Sequence, residues 1–307
     1  MKSRSFDKLK VGIIGTGNIG TDLLIKIIRS EYLTCTLFSG RSLDSVGMKR
    51  AKSLGINISD KGINALIENP SICEVVIDCT SAEYHTHHWQ VCKDLGKSII
   101  DMTPAKLGTL CVPAISKEKI SSNKIHNINM ITCGGQTSIP IAYALSQVHK
   151  DIEYIEVVSS IASLSAGPAT RQNLDEYIET TEAAIRKFSG AKSSKAVLIL
   201  NPANPPIDMQ TTIYAKIENP NKEEIEKSVL EMVEKIRYYS PGYQLAVPPI
   251  VKDNVVIVSL KVLGLGDHLP QYAGNLDIIN CAAIAVLEDM SNSDRKSTRL
   301  NSSHTDI

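Results

Sequence analysis

The sequence predicts an α/β protein in which a doubly wound parallel sheet is followed by a second, mixed sheet. In the first 150 residues, short apolar segments of strand length alternate with helical patterns, which is typical of a parallel sheet covered by helices on both faces. From about residue 151 the segments are longer and alternate apolar with polar positions, which indicates a largely antiparallel sheet with helices on one face. We therefore expect a first domain at 1–150 and an α+β domain at 151–274.

The elements of the first half follow from the spacing of the apolar residues. Strands are predicted at "LKVGIIG", "TCTLFSG", "CEVVIDCT", "KSIIDMT" and "INMITC". Helices are predicted near 18–29, 44–53, 61–68, 82–95 and 137–149.

The second half is predicted to combine long strands with amphipathic helices. Strands are expected at "YIEVVSSIA", "KAVLILNP", "TTIYAKIE" and "NVVIVSLKVLG", and helices at 173–188 and 222–238. An apolar helix at 275–290, with Asn275 as its N-cap, is expected to return to the first domain and complete it. The segment 291–307 lacks periodicity and has almost no apolar content, so we expect a disordered, non-native tail.

The composition excludes several classes of protein. Lys and Arg total 33 and Asp and Glu total 33, so a neutral chain gives no electrostatic reason to expect nucleic acid or an anionic membrane as a partner. The cysteines are odd in number, scattered and embedded in apolar runs, which favours reduced thiols in the cytoplasm over a disulfide framework. No cysteine pair has zinc-binding spacing, and no metal site is predicted.

A glycine-rich turn after the first strand predicts dinucleotide binding. Gly15, Thr16, Gly17, Asn18, Ile19 and Gly20 form a GxGxxG pattern between a strand and a helix. In that context the glycines allow a tight turn, close approach of the backbone to a pyrophosphate, and close helix–strand packing. The alternative is a Rossmann-type loop that binds nothing.

At the end of the second strand, Arg41 and Ser42 occupy the place of the usual acidic residue, so NADP is an alternative to NAD unless Arg41 is merely a solvated residue.

The stretch "NMITCGGQTSIPIAYAL" predicts a nucleophilic cysteine. Asn129 to Thr132 have the pattern of a strand end, the two glycines that of a turn, and Thr137 onward that of a helix start with Pro140 in its first turn. Cys133 would then face a helix N-terminus, which favours a thiolate. The alternative is that Cys133 is a small core residue. With a nicotinamide at the same sheet edge, a thiolate could form a hemithioacetal with an aldehyde, and loss of hydride would leave a thioester.

Six motifs give the chain a resemblance to the acylating acetaldehyde dehydrogenase family. They are "GTGNIGTDL", "DMTPA", "ITCGGQTSIP", "SLSAGPATRQNLDEYIETT", "NPANPP" and "LPQYAGNLDI", in the order of the family and spread over about 9–290. The resemblance implies an oxidoreductase that makes acetyl-CoA from acetaldehyde, NAD and CoA, and a homodimer that joins a 4-hydroxy-2-oxovalerate aldolase in a complex. A role in the catabolism of aromatic hydrocarbons is associated with that pair of enzymes.

The resemblance also implies roles for individual residues. Cys133 would carry the acyl thioester, Thr16 to Ile19 would contact the cofactor pyrophosphate, and Asn275 would contact the nicotinamide half. The cofactor side of the site would further include Ser165, Ala166, Gly167, Pro168, Ala169, Thr170, Arg171, Gln172 and Asn173. The residues themselves agree, because a small-residue Gly-Pro loop ahead of a helix capped by Asn173 suits close approach of a ligand, although an ordinary connecting loop would have the same composition.

The chain departs from the family pattern at three places. Ser42 stands where relatives carry an acidic residue, and Thr211 stands where they carry an Asp, the nearest carboxylate here being Asp208. The segment "LAVPPIVKDNVVIVSLKVLGLGDHLP" is shorter than in relatives. The identity of a general base is therefore left open.

The histidines offer further acid/base candidates. His85, His87 and His88 lie close together in sequence, but a helix would point them in different directions, so we expect surface or cofactor-edge residues. His268 is better placed to approach the nicotinamide.

Two other functions fit the same residues. The chain could be another Rossmann-type reductase, such as a semialdehyde dehydrogenase, or a catalytically silent, cofactor-binding subunit of an aldolase complex. The absent Asp at Thr211 favours the silent subunit, and the presence of Cys133 opposes it.

Overall fold

The computed structural model describes residues 7–116 and 125–302 and confirms the α/β fold class. It contains a parallel sheet, here sheet A, and a mixed sheet, here sheet B. Within the described ranges, no helix has both the length and the apolar character needed to cross a bilayer. The boundaries of the two expected domains stay a prediction.

Sheet A has the strand order β3-β2-β1-β4-β5-β7-β6, with every pair parallel. Its strands are β1 Leu9–Ile14, β2 Leu33–Ser39, β3 Ile58–Ser59, β4 Val75–Asp78, β5 Ser98–Asp101, β6 Thr109–Leu110 and β7 Asn127–Asn129. The intervening helices are α1 Asn18–Arg29, α2 Val46–Ser53, α3 Asn64–Glu68, α4 Ala82–Asp94 and α5 Pro113–Ser116. The five predicted strands are confirmed, and β3 and β6, of two residues each, are too short to give an apolar pattern.

Helix α6 begins four residues earlier than predicted. It spans Cys133–Val148, because Thr132 serves as the N-cap and its Oγ1 accepts the N–H of Gly135 at 2.9 Å. The glycines therefore form the first turn of the helix instead of a preceding turn, and Pro140 lies inside the helix, not in its first turn.

Sheet B has the order β11-β13-β10-β8-β9, and β12 pairs with β13. Its strands are β8 Ile152–Ala162, β9 Ser193–Asn201, β10 Met209–Ile217, β11 Tyr243–Leu245, β12 Ile250–Lys252 and β13 Val255–Val262. The helices of this region are α7 Pro168–Gln172, α8 Leu174–Ser189 and α9 Lys222–Arg237. The β8–β9 pair is parallel and the other pairs are antiparallel, so the sheet is mixed and largely antiparallel as predicted.

The two faces of sheet B differ in burial. Alternate residues such as Val157 and Ile213 are buried in the core that also contains residues of α6, α8 and α9. On the opposite face, Val158 of β8, Thr212 of β10 and Ser259 of β13 lie side by side and are half-buried. One face of the sheet is thus covered by helices, and the other carries these three side chains together with larger and charged ones, among them Glu156 and Tyr214.

The last helix, α10, packs against sheet A. It spans Gly274–Ser302, and Ile279, Ala282 and Val286 share a core with residues of β1 and α1. The expected end at Met290 is wrong, because α10 continues to Ser302 through a polar segment that contains neither Gly nor Pro to end a helix. The expectation of a disordered, non-native tail stays a prediction. Residues 303–307 lie outside the described residues. The predicted N-cap at Asn275 is also wrong, because the helix already begins at Gly274.

A buried lysine joins α1 to α10 and to the loop before α10. The Lys26 ammonium lies 2.7 Å from Asp277, 2.9 Å from Asp267 and 3.3 Å from Asp22, and the side chain is 6% exposed. Asp267 also pairs with Arg29. Since three carboxylates converge on one buried ammonium, removal of that ammonium would leave uncompensated charges in the interior.

We expect Lys26→Met to lower the free energy of unfolding by about 3 kcal/mol or more at pH 8. Without the ammonium, the carboxylates acquire raised pKa values in the folded state. The loss in the free energy of unfolding is therefore complete above these raised pKa values, and it becomes smaller as the pH falls through them and the carboxylates are protonated. Urea unfolding at pH 8 and pH 5 measures the difference. The control is Lys49→Met, whose exposed side chain pairs with Asp44 at 3.8 Å and should change stability little. An equal loss at both pH values would contradict the electrostatic explanation.

Candidate active site

A cleft opens at the carboxyl ends of the central strands of sheet A. Its walls come from the ends of β4, β5 and β7, from the start of α1, from α7 and α8, and from α10. Cys79, Thr80, Met102, Thr103 and Cys133 lie on the strand side. The carboxyl edge of a parallel sheet is the usual ligand position in this class of fold, so the cleft is the natural candidate site.

The glycine-rich loop borders this cleft and fits a pyrophosphate. Gly15 has φ +105°, and a Cβ there would lie 2.5 Å from the carbonyl oxygen of Cys79. A Cβ on Gly20 would lie 2.0 Å from the carbonyl oxygen of Gly15, so a side chain would separate helix from strand. Gly17, the N-cap of α1, has open space where a Cβ would be. The backbone N–H groups at this helix N-terminus can therefore be approached closely by an anion.

Ser42 and Arg41 are both exposed after the end of β2. The Oγ of Ser42 accepts the N–H of Asp44 at 3.2 Å, so this turn is stabilised locally. Across the loop, Thr16 Oγ1 lies 3.3 Å from Ser45 Oγ, which places the second turn next to the glycine-rich loop. Arg41 is exposed and makes no hydrogen bond or ion pair with the residues that the structure describes, so its side chain can extend toward a ligand at this edge.

Three neighbouring strands end in the same kind of polar turn. Asp78 ends β4 and accepts the N–H of Thr80 at 3.0 Å, and Asp101 ends β5 and accepts the N–H of Thr103 at 2.8 Å. The third turn follows β7, where Asn129 Oδ1 accepts the N–H of Ile131 at 2.7 Å. In each case the residue that donates lines the cleft.

The third turn holds a strained residue beside Cys133. Ile131 has φ +66°, a left-handed conformation that is costly for a β-branched side chain. The bond from Asn129 supports that conformation, and Thr132 then caps α6. Cys133 follows as the first residue of the helix, half-buried and in contact with the cleft. A strained turn that presents a thiol at a helix N-terminus is a feature expected of a nucleophile.

The thiol of Cys133 is not biased toward the thiolate, contrary to the sequence prediction. Burial raises the pKa of Cys133, while the Tyr177 hydroxyl and the N–H groups of Gly134 and Cys133 lower it without fully offsetting burial. The helix N-terminus therefore acts in the expected direction, but desolvation is the larger effect.

Beneath the strand-end turns, a histidine bridges two buried carboxylates. His85 Nδ1 lies 2.9 Å from Asp78 Oδ2, and its Nε2 lies 3.4 Å from Asp101 Oδ2. His88 Nδ1 also lies 2.9 Å from Asp78 Oδ2, and Asn127 contacts His85 Nε2. The expected surface position is therefore wrong for His85 and His88, which are buried, and only His87 of these three is exposed. A position at the cofactor edge stays a prediction. Within the described residues, no cluster of His, Cys, Asp and Glu has the arrangement of a metal site.

The protonation of this group is set by opposing effects. Burial disfavours a charged imidazole, but the hydrogen bond to Asp78 and the charges of Asp101 and Asp78 outweigh it and raise the pKa of His85. Burial raises the pKa of Asp101 to about 7 despite the charge of His85. Burial also disfavours the carboxylate of Asp78, but hydrogen bonds from His85, His88 and Thr80 hold its pKa well below the usual range. The network thus retains a proton between two carboxylates near neutral pH.

The structure brings together some of the predicted cofactor residues but not all. Ile19, Thr170, Asn173 and Asn275 line the cleft with Cys133. Gly167 has open space at its Cβ position, and Ser165 donates to the carbonyl of Ala162 at 2.8 Å. Pro168 and Ala169 lie in α7, and Gln172 is exposed.

Arg171 and Asn173 differ from the expected picture in detail. Arg171 donates to the carbonyls of Ala166 and Ser163 at 3.0 Å each, so it holds its own loop in place. Asn173 is at the N-cap position of α8, but its side chain makes no capping hydrogen bond, contrary to expectation.

Asn275 presents a polar group to the cleft. It is 1% exposed, and its Oδ1 has no hydrogen-bond partner among the described residues. A buried amide oxygen without a partner is costly, and a bound ligand with an N–H donor would satisfy it. His268, by contrast, does not line the cleft among the residues described.

Sequence reasoning missed Tyr177, whose hydroxyl lies against Cys133. The Cys133 thiol donates to Tyr177 Oη at 3.7 Å, and the Gly134 N–H donates to it at 3.0 Å. Thr211 is buried and lies 2.9 Å from Ser159 Oγ, while Asp208 pairs with Lys261 at 2.7 Å and does not line the cleft. Tyr177 is 44 residues from Cys133, and no spacing rule connects the two.

Comparisons with known proteins agree on one family. The family model described as prokaryotic acetaldehyde dehydrogenase, dimerisation, matches residues 133–270. The chain is 64% identical to an acetaldehyde dehydrogenase of Pectobacterium atrosepticum over 92% of this chain and 96% of that protein. It is 52% identical to one of Spirochaeta aurantia over 92% and 94%, and 46% identical to one of Geobacillus stearothermophilus over 92% and 96%.

We expect His85→Gln to lower the free energy of unfolding by about 3 kcal/mol at pH 6, because the buried carboxylate of Asp78 loses its positive partner. The pKa of His85 is higher in the folded chain than its value of about 6.5 in the unfolded chain. The stabilisation that His85 contributes to the fold is therefore fully present below about pH 6.5 and is lost as the pH rises through the pKa of the folded state. The difference between the native chain and the variant should therefore shrink toward pH 9. Urea unfolding from pH 6 to 9 measures it, with His87→Gln on the same helix as the control. If the difference in the free energy of unfolding between the native chain and His85→Gln does not change with pH, His85 does not act as a charged imidazolium.

Proposed function

The chain belongs to the acetaldehyde dehydrogenase family, and from that premise we propose that it is an acylating enzyme. It would oxidise acetaldehyde, or a similar short aldehyde, with NAD and transfer the acyl group to CoA. The observation that carries this proposal is Cys133, a thiol at a helix N-terminus on the wall of a cleft that the glycine-rich loop borders. The proposed reaction requires CoA as the acyl acceptor. Neither alternative, a semialdehyde dehydrogenase or a silent subunit, requires CoA.

The proposed reaction proceeds through Cys133. Its thiolate attacks the aldehyde carbon, and the carbonyl oxygen takes up the developing charge of a hemithioacetal. Bound NAD would supply the acceptor for the hydride that leaves the former aldehyde carbon. Cys133 then holds a thioester, and the thiolate of CoA attacks it and releases Cys133. Because the cleft is lined mainly by apolar and hydroxyl side chains, it would keep water away from the thioester until CoA arrives.

Residues of the loop and of α10 would hold the cofactor. The backbone around Gly17 would bind the pyrophosphate, and Asn275 would accept a hydrogen bond from the nicotinamide carboxamide, which its partnerless Oδ1 supports. We propose NAD as the cofactor, with NADP accepted through Arg41 because no carboxylate occupies the position of Ser42.

We further propose a homodimer and an aldolase partner. The match to a dimerisation model over 133–270 and the uncovered face of sheet B, with Val158, Thr212 and Ser259, support pairing of two chains through that face. Partnership with a 4-hydroxy-2-oxovalerate aldolase, and with it a place in aromatic catabolism, rests on the sequence resemblance alone.

The test is Cys133→Ala in an assay of acetaldehyde oxidation. We expect the native chain, purified without an aldolase, to reduce NAD in repeated turnovers only when CoA is present and by no more than one equivalent without it. We expect the variant to lose about 10³-fold or more of the rate with CoA because the nucleophile is gone. Reduced cofactor is followed by its absorbance, and acetyl-CoA by mass spectrometry. Cys111→Ala, which removes a buried thiol outside the cleft, is the control.

The outcomes separate the alternatives. Repeated turnover without CoA would refute the acylating proposal, and phosphate-dependent oxidation would favour the semialdehyde dehydrogenase reading. Cofactor binding without turnover in the native chain would favour the silent subunit. An acetyl group on Cys133, trapped by acid quenching before CoA is added, would identify the thioester directly.

Arg41→Glu tests the cofactor proposal. A carboxylate beside the adenosine ribose would repel a 2′-phosphate, and the guanidinium contact would be lost, so kcat/KM with NADP should fall by about 10-fold or more. The value with NAD should change little. Initial rates with each cofactor measure the effect, and Arg50→Glu, an exposed residue on α2, is the control. Parallel losses for both cofactors would show that Arg41 does not discriminate between them.

A further inference from the structure

Cys133 has a direct polar neighbour in Tyr177. The Tyr177 side chain is 7% exposed, and its Oη lies 3.7 Å from the Cys133 sulfur and 3.0 Å from the backbone nitrogen of Gly134. The Gly134 N–H donates to the hydroxyl oxygen. This polarises the O–H bond and makes the hydroxyl a better donor.

The position of Tyr177 is fixed from two sides. Thr181 Oγ1, one turn further along α8, donates to the carbonyl of Tyr177 at 2.7 Å and lies 2.7 Å from Thr132 Oγ1. Thr132 is the N-cap of α6, so the start of α8 is anchored to the turn that carries Cys133. On the other side, a Cβ on Gly134 would lie 2.1 Å from Tyr177 Oη. The hydroxyl can therefore reach the thiol only because residue 134 is glycine.

Apart from the backbone N–H groups at the start of α6, the cleft supplies little else that could stabilise a thiolate. Among the described residues that line it, none is Asp, Glu, Lys, Arg or His, and the ionisable side chains besides Cys133 are Tyr177 and Cys79. Burial raises the pKa of Cys79 well above its usual range, so that thiol stays neutral. Of these two side chains, Tyr177 has the recorded hydrogen bond to the sulfur of Cys133.

We propose that Tyr177 is a catalytic residue that stabilises the thiolate of Cys133 by donating its hydroxyl hydrogen to the sulfur. The inference rests on the proposed function, in which Cys133 is the nucleophile. In the thiol form, the S–H donates to Tyr177 Oη. When the thiol proton leaves to solvent, before cofactor and aldehyde fill the cleft, the hydroxyl rotates and donates to the sulfur, while Tyr177 keeps its own proton and Gly134 continues to donate to the oxygen. The same hydrogen bond forms again when CoA displaces the thiolate from the thioester.

The test is the rate of alkylation of Cys133 by iodoacetamide as a function of pH, in the full chain and in Tyr177→Phe. Mass spectrometry of the Cys133 peptide separates this thiol from the other six cysteines. We expect the apparent pKa of alkylation to rise by about one unit or more in the variant, so that the rate at neutral pH falls about 10-fold. Tyr143→Phe, on the same helix as Cys133, is the matched control and should leave the profile unchanged.

A second variant approaches the contact from the other partner. In Gly134→Ala the new methyl group displaces the hydroxyl, so the alkylation profile should shift in the same direction as in Tyr177→Phe. The double variant should be no worse than Tyr177→Phe alone, because one contact can be lost only once. If Tyr177→Phe does not fold, Gly134→Ala still decides the question.

The outcomes keep this inference apart from the proposed function. An unchanged alkylation profile in both variants would overturn the role of Tyr177, even if acetaldehyde turnover fell, because such a loss would then reflect packing. A shifted profile in a chain that does not oxidise acetaldehyde in the presence of CoA would support the role of Tyr177 at the thiol while the proposed function fails.

Discussion

The arrangement of the cleft depends on the way three parallel strands end. Asp78, Asp101 and Asn129 are each fully buried, and each accepts the N–H of the residue two positions later. Further bonds join the three turns, because His85 bridges the two aspartates and Asn129 Nδ2 donates to Asp101 at 2.8 Å. A buried network of this kind is stable only when its members are satisfied together, so the strand ends are fixed as one unit. The positions of Thr80, Thr103 and Ile131 on the cleft wall follow from that unit.

The third of these turns determines the position of Cys133. The pKa of its thiol is set by the balance between burial and hydrogen bonds to the sulfur. The left-handed Ile131 directs the chain into α6, and the helix N-terminus then offers N–H groups to the sulfur. Burial opposes ionisation of the thiol, as a cleft that excludes water requires. In the proposed mechanism, the burial that protects a thioester from hydrolysis therefore also raises the pKa of Cys133, and hydrogen bonds to the sulfur offset that effect. This makes the neutral donors around Cys133 more important than they would be at an exposed thiol.

The sequence predicted those parts of the fold that local patterns determine. The main strands of both sheets and the GxGxxG loop follow from apolar spacing and from the steric needs of Gly15 and Gly20, which the structure confirms. The start of α6 was missed because a Gly-Gly pair normally indicates a turn, whereas here Thr132 caps a helix that includes both glycines. The contacts of His85 with Asp78 and Asp101, and of Tyr177 with Cys133, join residues on different elements. Sequence spacing carries no information on such contacts, and a left-handed isoleucine contradicts the usual preference for glycine.

Helix α10, the last helix of the described residues, forms one wall of the cleft. Helix α10 contributes Asn275, Leu276 and Ile279 to the cleft, and it is joined to α1 through Lys26 and Asp277. The same α1 begins at the glycine-rich loop, so the ion cluster fixes the distance between the proposed pyrophosphate and nicotinamide contacts. Tyr177 lies in α8, after the first strand of sheet B, while Cys133 follows β7, a three-residue strand of sheet A. The contact of Cys133 with Tyr177 thus joins the regions of the two sheets, and it requires both sheets to be folded and correctly packed.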